Sequence, residues 1–293
     1  MERQDYLMPT LLQYENVAWY EDGKVRILDR RVYPREISFV NCQTYQEVAQ
    51  AITDMVTQSA GPYTAAGMGM ALACYQSKGL SIEERENYLF EASEKIANAR
   101  PTTANRMRLI TEKCVMVGKE ALAKGSDPAE AIKQNTLDSL NNRYFTMNKV
   151  AKFLIDRIPN NGAVLTQCFG ETIIGMLLRE AIEQKKTIRF YCSETRPYLQ
   201  GARLTASCCA EKGFDTTVVT DNMIAYLMSS QKIDLFTSAA DSIARDGHIA
   251  NKVGTYQIAL LAQHFSVPYF VTGIPDADKK DKNAIKIEMR DPV

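Results

Sequence analysis

Gly162-Ala163-Val164-Leu165-Thr166-Gln167-Cys168-Phe169-Gly170-Glu171 is an apolar run of β-formers, then a polar tip, then the opening of a helical stretch. The pattern recurs down to Gly273. Runs rich in β-formers lie at Ala163–Thr166, Thr187–Cys192, Thr216–Thr220, Ile233–Thr237 and Tyr269–Thr272. Helical patterns separate them at Glu171–Gln184, Leu199–Lys212, Met223–Ser229 and Lys252–Phe265. Strands alternating with helices predict βαβ units: an α/β protein whose doubly wound parallel sheet carries helices on both faces. In such a sheet the polar tips gather at one edge, where ligands bind.

The tips are chemically loaded. Cys168 follows the first strand and precedes a helix whose N-terminus would favour a thiolate. Glu194 and Arg196 follow the second, Asp221 the third and Asp241 the fourth. Taken singly, each has an ordinary explanation: an inert thiol, a surface ion pair, a helix cap. Together they put a thiol, carboxylates and an arginine on the ligand edge. Gln200-Gly201-Ala202-Arg203 and Asn251-Lys252-Val253-Gly254-Thr255 each open a helix, where N–H groups and a cation can hold an anionic or polyhydroxylated ligand. The residues around Gly170 lack the GxGxxG fingerprint, and no Walker loop is present, so neither NAD nor a nucleotide phosphate cradle is expected. His248 and His264 read as structural or surface residues, and no metal is expected.

The first half has a different grain. Val17 to Leu28 alternates around Glu21-Asp22-Gly23-Lys24, a hairpin signal, and an extended piece is expected through Arg35. Helical spacing begins at Thr44, where Thr44 and Glu47 resemble a capping box, and stops near Ser59-Ala60-Gly61-Pro62. Ala65, Ala66, Gly67, Gly69, Ala71 and Ala73 form a small-residue helix suited to close packing. Further helices are expected at Ile82–Asn98, Thr103–Lys124 and Pro128–Asp156. Pro101 biases Arg100 away from helical geometry, and Thr102 or Thr103 could cap the next helix, with Arg100 beside it as an anion clamp or a solvated charge. The chain thus divides into residues 1–157, a β-hairpin plus helical domain, and residues 158–293, the α/β domain.

Bulk properties narrow the function class. A formal net charge of zero gives no global case for nucleic acid or an anionic membrane. Seven cysteines without a CxxC pair fit free thiols in a reducing compartment. The start, Met1-Glu2-Arg3-Gln4-Asp5, has no basic-then-apolar pattern, and no apolar run approaches the roughly 20 residues of a membrane span. A cytoplasmic protein is expected.

Three motifs carry a family resemblance: Ser193-Glu194-Thr195-Arg196-Pro197-Tyr198-Leu199-Gln200-Gly201-Ala202-Arg203-Leu204-Thr205-Ala206, Ala240-Asp241-Ser242-Ile243, and Gly247 through Thr255. The chain resembles the methylthioribose-1-phosphate isomerases from about residue 15 onward, most densely after Gly162. That superfamily also holds ribose-1,5-bisphosphate isomerases and regulatory subunits of the eukaryotic initiation-factor guanine-nucleotide exchange complex. The resemblance implies a helical domain with a small β element, a Rossmann-like domain, and a homodimer. It implies an aldose–ketose isomerase of methionine salvage, converting S-methyl-5-thioribose 1-phosphate to its ribulose isomer without a cofactor. Its catalytic pair falls on Cys168 and Asp241, and its phosphate and sugar contacts fall on Arg100, Gln200, Asn251 and Lys252.

The departures are specific. The family's Arg-Gly-Ala-Pro turn is Ser59-Ala60-Gly61-Pro62 here, which keeps Gly61 as a substrate contact but loses an arginine. Asn-Ala-Gly after the catalytic cysteine becomes Phe169-Gly170-Glu171, and Gly-Ala-Asp-Arg becomes Ala239-Ala240-Asp241-Ser242. A lost cation and an added carboxylate weaken the expected phosphate cradle. Alternative expectations are therefore an isomerase of another pentose, such as 5-deoxyribose 1-phosphate or ribose 1,5-bisphosphate, or a non-catalytic sugar-phosphate-binding subunit.

Overall fold

The structure is a computed structural model that describes residues 2–100 and 103–287. By its contacts the chain forms two compact units: Met1–Tyr6 with Thr10–Tyr144, and Leu7–Pro9 with Phe145–Val293.

The first unit begins with a short helix α1 (Tyr14–Val17) and the hairpin β1 (Trp19–Glu21) and β2 (Lys24–Leu28), paired antiparallel across Asp22-Gly23. Two expectations change here. Residues 30–35 form turns rather than an extended piece, because the Asp29 carboxylate accepts the Arg31 N–H at 2.9 Å and holds the chain back on itself. A further strand, β3 (Phe39–Cys42), pairs antiparallel with β2.

Helices follow: α2 (Tyr45–Thr53), α3 (Gly61–Gln76), α4 (Ile82–Ala97), α5 (Ala104–Ala123) and α6 (Pro128–Ile155), the last leaving this unit after Tyr144. Thr44 caps α2 by accepting the Glu47 N–H, but Glu47 reaches the N–H of Gln43 rather than Thr44, so only half the expected box forms. The complete box is at Ser81 and Glu84, opening α4. Thr103 precedes α5 without a side-chain cap bond; Pro101 and Thr102 lie outside the described residues.

The small-residue helix α3 is buried nearly throughout and is the spine of this unit. A Cβ on Gly67 would lie 2.2 Å from Thr136 Oγ1, so glycine there sets how closely α6 can approach. Around α3 pack Val48, Ile52, Leu89, Ile96, Met107 and Ile132.

The second unit contains the parallel sheet. Its strands are β4 (Gly162–Gln167), β5 (Ile188–Ser193), β6 (Asp215–Val219), β7 (Leu235–Ala239) and β10 (Tyr269–Thr272), in the order β10-β7-β4-β5-β6. Between them run α7 (Glu171–Glu183), α8 (Ala206–Glu211), α9 (Ile224–Ser230) and α10 (Thr255–His264); a two-stranded ribbon, β8 (Ser242–Ile243) and β9 (Ile249–Ala250), follows β7. All five expected strands are present and every pairing is parallel. The central strand β4 is buried at every position, as a sheet covered on both faces requires.

Alternation sorts the side chains between the faces. Ala163, Leu165, Tyr191 and Phe236 join Ile224, Leu227 and Ile258 of α9 and α10 in one core. On the opposite parity, the free thiols of Cys192 on β5 and Cys209 on α8 share a hydrogen bond. The helix after β5 differs from expectation. The stretch from Leu199 opens with a turn of π-helix, Gly201–Thr205, before α8. No helix among the described residues is long and apolar enough to cross a membrane.

Candidate active site

The strand order fixes where the site lies. From β4 the chain runs outward through β5 to β6, then returns to place β7 on β4's other side. The order therefore reverses between β4 and β7, and ligands of such sheets bind beyond the carboxyl ends at that reversal. Cys168 directly follows β4, and Asp241 follows β7 by two residues. The fold alone brings these two tips to the switch point.

Cys168 sits in the left-handed region, with φ of 62°. A non-glycine residue stays there only when its surroundings hold it. Here its N–H donates to Thr195 Oγ1 at 2.9 Å, and its carbonyl accepts from Thr205 Oγ1 at 2.5 Å. The thiol itself is partly buried. Burial pushes it up to about 11, against a downward pull from the Lys252 ammonium and the Phe169 N–H and a further upward push from Asp241 and Asp221. Burial thus outweighs the helix tip and the cation, and favours the protonated thiol over the thiolate expected from sequence.

Asp241 is exposed, its N–H donating to Ala250 O at 3.0 Å. One residue on, Ser242 is buried and donates to Asp276 at 2.6 Å.

Asp221 does not serve as a cap for the helix after it. Its carboxylate accepts from the Ser193 hydroxyl, from Thr195 N at 2.9 Å and from Arg196 N at 2.7 Å, tying the tip of β6 to that of β5. Glu194 is held through its backbone, its N–H bonding to Val219 O at 2.8 Å.

Gln200 is almost fully buried, and its Oε1 has no hydrogen-bond partner among the described residues. An orphaned acceptor at a ligand edge needs a donor to complete it. Asn251 and Lys252 lie just before α10 rather than on it, because Gly254 at φ 95° starts that helix later than expected. Asn251 donates to Thr255 Oγ1 at 3.1 Å; Thr255 in turn donates to Gln167 Oε1 at 2.5 Å, and Gln167 Nε2 donates to Val253 O at 2.8 Å. The last residue of β4 thereby fixes the Asn251–Thr255 loop. Lys252 Nζ lies 5.3 Å from the Tyr198 ring centroid.

The remaining expected contacts belong to the first unit. Gly61 is buried at the start of α3, and a Cβ there would meet Thr57 Oγ1 at 2.0 Å and Arg30 Nη1 at 3.0 Å. Arg30 is wholly buried and donates to Gln58 O at 2.6 Å. Arg100 is half-buried, and its Nε lacks a partner among the described residues.

Residues 59–292 match the Initiation factor 2 subunit family. The chain belongs to that family. It is 34% identical to methylthioribose-1-phosphate isomerase from Koribacter versatilis, over 94% of this chain and 81% of the relative. The 5-methylthioribose 1-phosphate isomerase of Pyrococcus horikoshii OT3 superposes with a TM-score of 0.79 at 28% identity, over 94% of this chain and 81% of that one. Translation initiation factor eIF-2B subunit delta from A. fulgidus gives 0.74 at 26%, over 87% and 76%. On these relatives the chain is an isomerase with their α/β fold.

Sequence reasoning singled out the side chains at the tips but missed those that fix them. Thr195, Thr205, Gln167 and Thr255 act through hydrogen bonds to partners 27 to 88 positions away. The one available signal was polar residues at the ends of apolar strands.

Proposed function

We propose that the protein interconverts an aldose and a ketose 1-phosphate, with S-methyl-5-thioribose 1-phosphate as substrate and Cys168 and Asp241 as the proton-transfer pair. The observation that carries this reading is the placement of both residues at the β4/β7 switch point of the sheet. The phosphate at the anomeric carbon locks the sugar as a ring. Turnover requires a proton on the ring oxygen, removal of one from C2 and delivery of one to C1.

Cys168 is assigned the carbon protons and Asp241 the oxygen protons. The raised thiol must shed its proton before it can accept one from C2, and Lys252, which already pulls it down, is the neighbouring cation that favours this. Gln200, Asn251 and Lys252 are assigned to the substrate's hydroxyls and phosphate; for Arg100 and Gly61 a substrate contact is what the resemblance implies. The same reading makes the protein a cytoplasmic homodimer, checked by light scattering on the purified chain.

Cys168→Ser and Asp241→Asn should each lower kcat by roughly 10²–10⁴-fold, the range for losing a positioned acid or base. Substrate binding should survive in calorimetry. Near-normal turnover in either variant would sink the assignment. A second reading keeps the reaction and changes the substrate. It is favoured by Glu171, a buried carboxylate in the first turn of α7, where methylthioribose-1-phosphate isomerases typically carry glycine. Turnover of another phosphorylated or deoxypentose with a higher kcat/KM than methylthioribose 1-phosphate would select it.

A further inference from the structure

Cys168 is clamped on both sides of its peptide by hydroxyls from elsewhere in the chain. Thr195 Oγ1 accepts the Cys168 N–H at 2.9 Å while donating its own proton to Ser193 O at 3.0 Å. Because that proton is committed, the hydroxyl's lone pair stays turned towards Cys168. Thr205 Oγ1 donates to the Cys168 carbonyl at 2.5 Å. Both threonines are buried, at 1% and 0% exposure, so water cannot readily replace them.

Thr195 is itself unusual. Its φ is 63°, costly for a β-branched residue, and Asp221 holds it there by accepting its N–H at 2.9 Å. Gly201 closes the arrangement from the far side: a Cβ there would lie 1.7 Å from Ser193 O and 2.9 Å from Thr195 Oγ1. The chain thus keeps two residues in left-handed backbone, braced by a half-buried carboxylate and an obligatory glycine, around one thiol. A fold that needed only a strand-to-helix turn after β4 would not require this.

We propose that Thr195 and Thr205 are positioning residues that fix the direction of the Cys168 thiol, with Asp221 holding Thr195 in place. The proposal rests on Cys168 being the carbon acid–base of the proposed reaction, but its first test does not use that reaction. Thr195→Val and Thr205→Val keep shape and remove the hydroxyl; Thr195→Ser and Thr205→Ser keep the hydroxyl. Alkylation of Cys168 by iodoacetamide at pH 8.5, followed by peptide mass spectrometry, should change at least about threefold in the valine variants and return to wild type in the serine variants.

With methylthioribose 1-phosphate, the valine variants should lose about 10–100-fold in kcat, with KM within about twofold, the scale on which a misdirected group costs rate. Alkylation unchanged in folded valine variants overturns the proposal. A wild-type protein without turnover, whose alkylation still follows the hydroxyls, overturns the reaction and leaves the clamp standing. If a valine variant does not fold, hydrogen exchange in wild type decides. The Cys168 amide, assigned by its absence from Cys168→Ser spectra of cysteine-labelled protein, should be protected for hours. Exchange within minutes overturns the clamp.

Discussion

The Cys168 tip and the Asp241 tip sit at the same edge of one sheet, and they are held in opposite ways. At the first, both backbone polar groups of Cys168 are engaged by buried hydroxyls, and its side chain is partly buried. At the second, Asp241 is exposed, and the firm anchor, Asp276, acts on the residue after it. The chemistry assigned to each makes sense of the difference. A proton moving between carbons has to be shielded from water and delivered along one direction. Protons on sugar oxygens exchange freely with solvent, so their carrier tolerates an open setting. One tip is built for direction, the other for access.

The largest test of that contrast is pH. With the free thiol at about 11, the base form is scarce at neutral pH and rises about tenfold per unit below that value. If ionised Cys168 takes the proton from C2, kcat/KM should rise about 100-fold between pH 7 and 9. A flat profile would show that Cys168 does not enter as a thiolate. Lys252→Met, which removes the largest downward pull on the thiol, should move the rise to higher pH. The same shift has a stability consequence. A thiol raised above its unfolded value of 9.0 favours folding below pH 9, and that contribution is lost as pH climbs towards 11. Rates should therefore be read below pH 9.

Two glycines test rigidity directly. Alanine at Gly201, beneath the Cys168 tip, would drive its Cβ into a backbone carbonyl at 1.7 Å, which cannot step aside. We expect about 3 kcal/mol of destabilisation, seen as a fall in the urea midpoint. Gly273 lies beside the Asp241 tip, and its Cβ would meet Ile243 Cδ1 at 2.8 Å, the far end of a side chain that can rotate away. Gly273→Ala should cost less than about 1 kcal/mol. Equal losses at the two positions would erase the distinction between a rigid tip and a yielding one.

How much of this was legible in the sequence follows from the range of the interactions involved. The five parallel strands show as β-rich apolar runs because a sheet covered on both faces leaves no choice of side chain, as β4 illustrates. Strand β3 was hidden because Phe39–Cys42 has only one fully buried side chain. The turns after Leu28 were hidden because the Asp29 carboxylate, accepting from the Arg31 N–H and guanidinium, outweighs the extended tendency of its neighbours. Cys168 and Asp241 could be named through resemblance and strand position. The clamp could not, since Thr195 and Thr205 are unremarkable residues until the fold brings them to one peptide. The thiolate expectation reversed for a related reason: the helix tip is local and visible, whereas burial is a property of the assembled site.

The smallest effect we expect concerns the anchor of the open tip. Asp276 is buried and accepts from Ser242 Oγ at 2.6 Å, Ile243 N at 3.1 Å and Lys279 Nζ at 3.1 Å, while its own N–H donates to Ile243 O at 2.8 Å. Asp276→Asn keeps the shape and the backbone bond but removes the charge and leaves an amide that can accept through one oxygen only. Stability should fall by about 1–2 kcal/mol, the scale for weakening hydrogen bonds to a buried charged group. The kinetic consequence should be slight, within about threefold in kcat, because the Asp241 side chain is exposed to solvent and is assigned a role that depends little on fixed direction. A loss in kcat as large as that of Thr195→Val would mean that Asp241 also needs a rigid frame, and the two tips would then be two forms of one design.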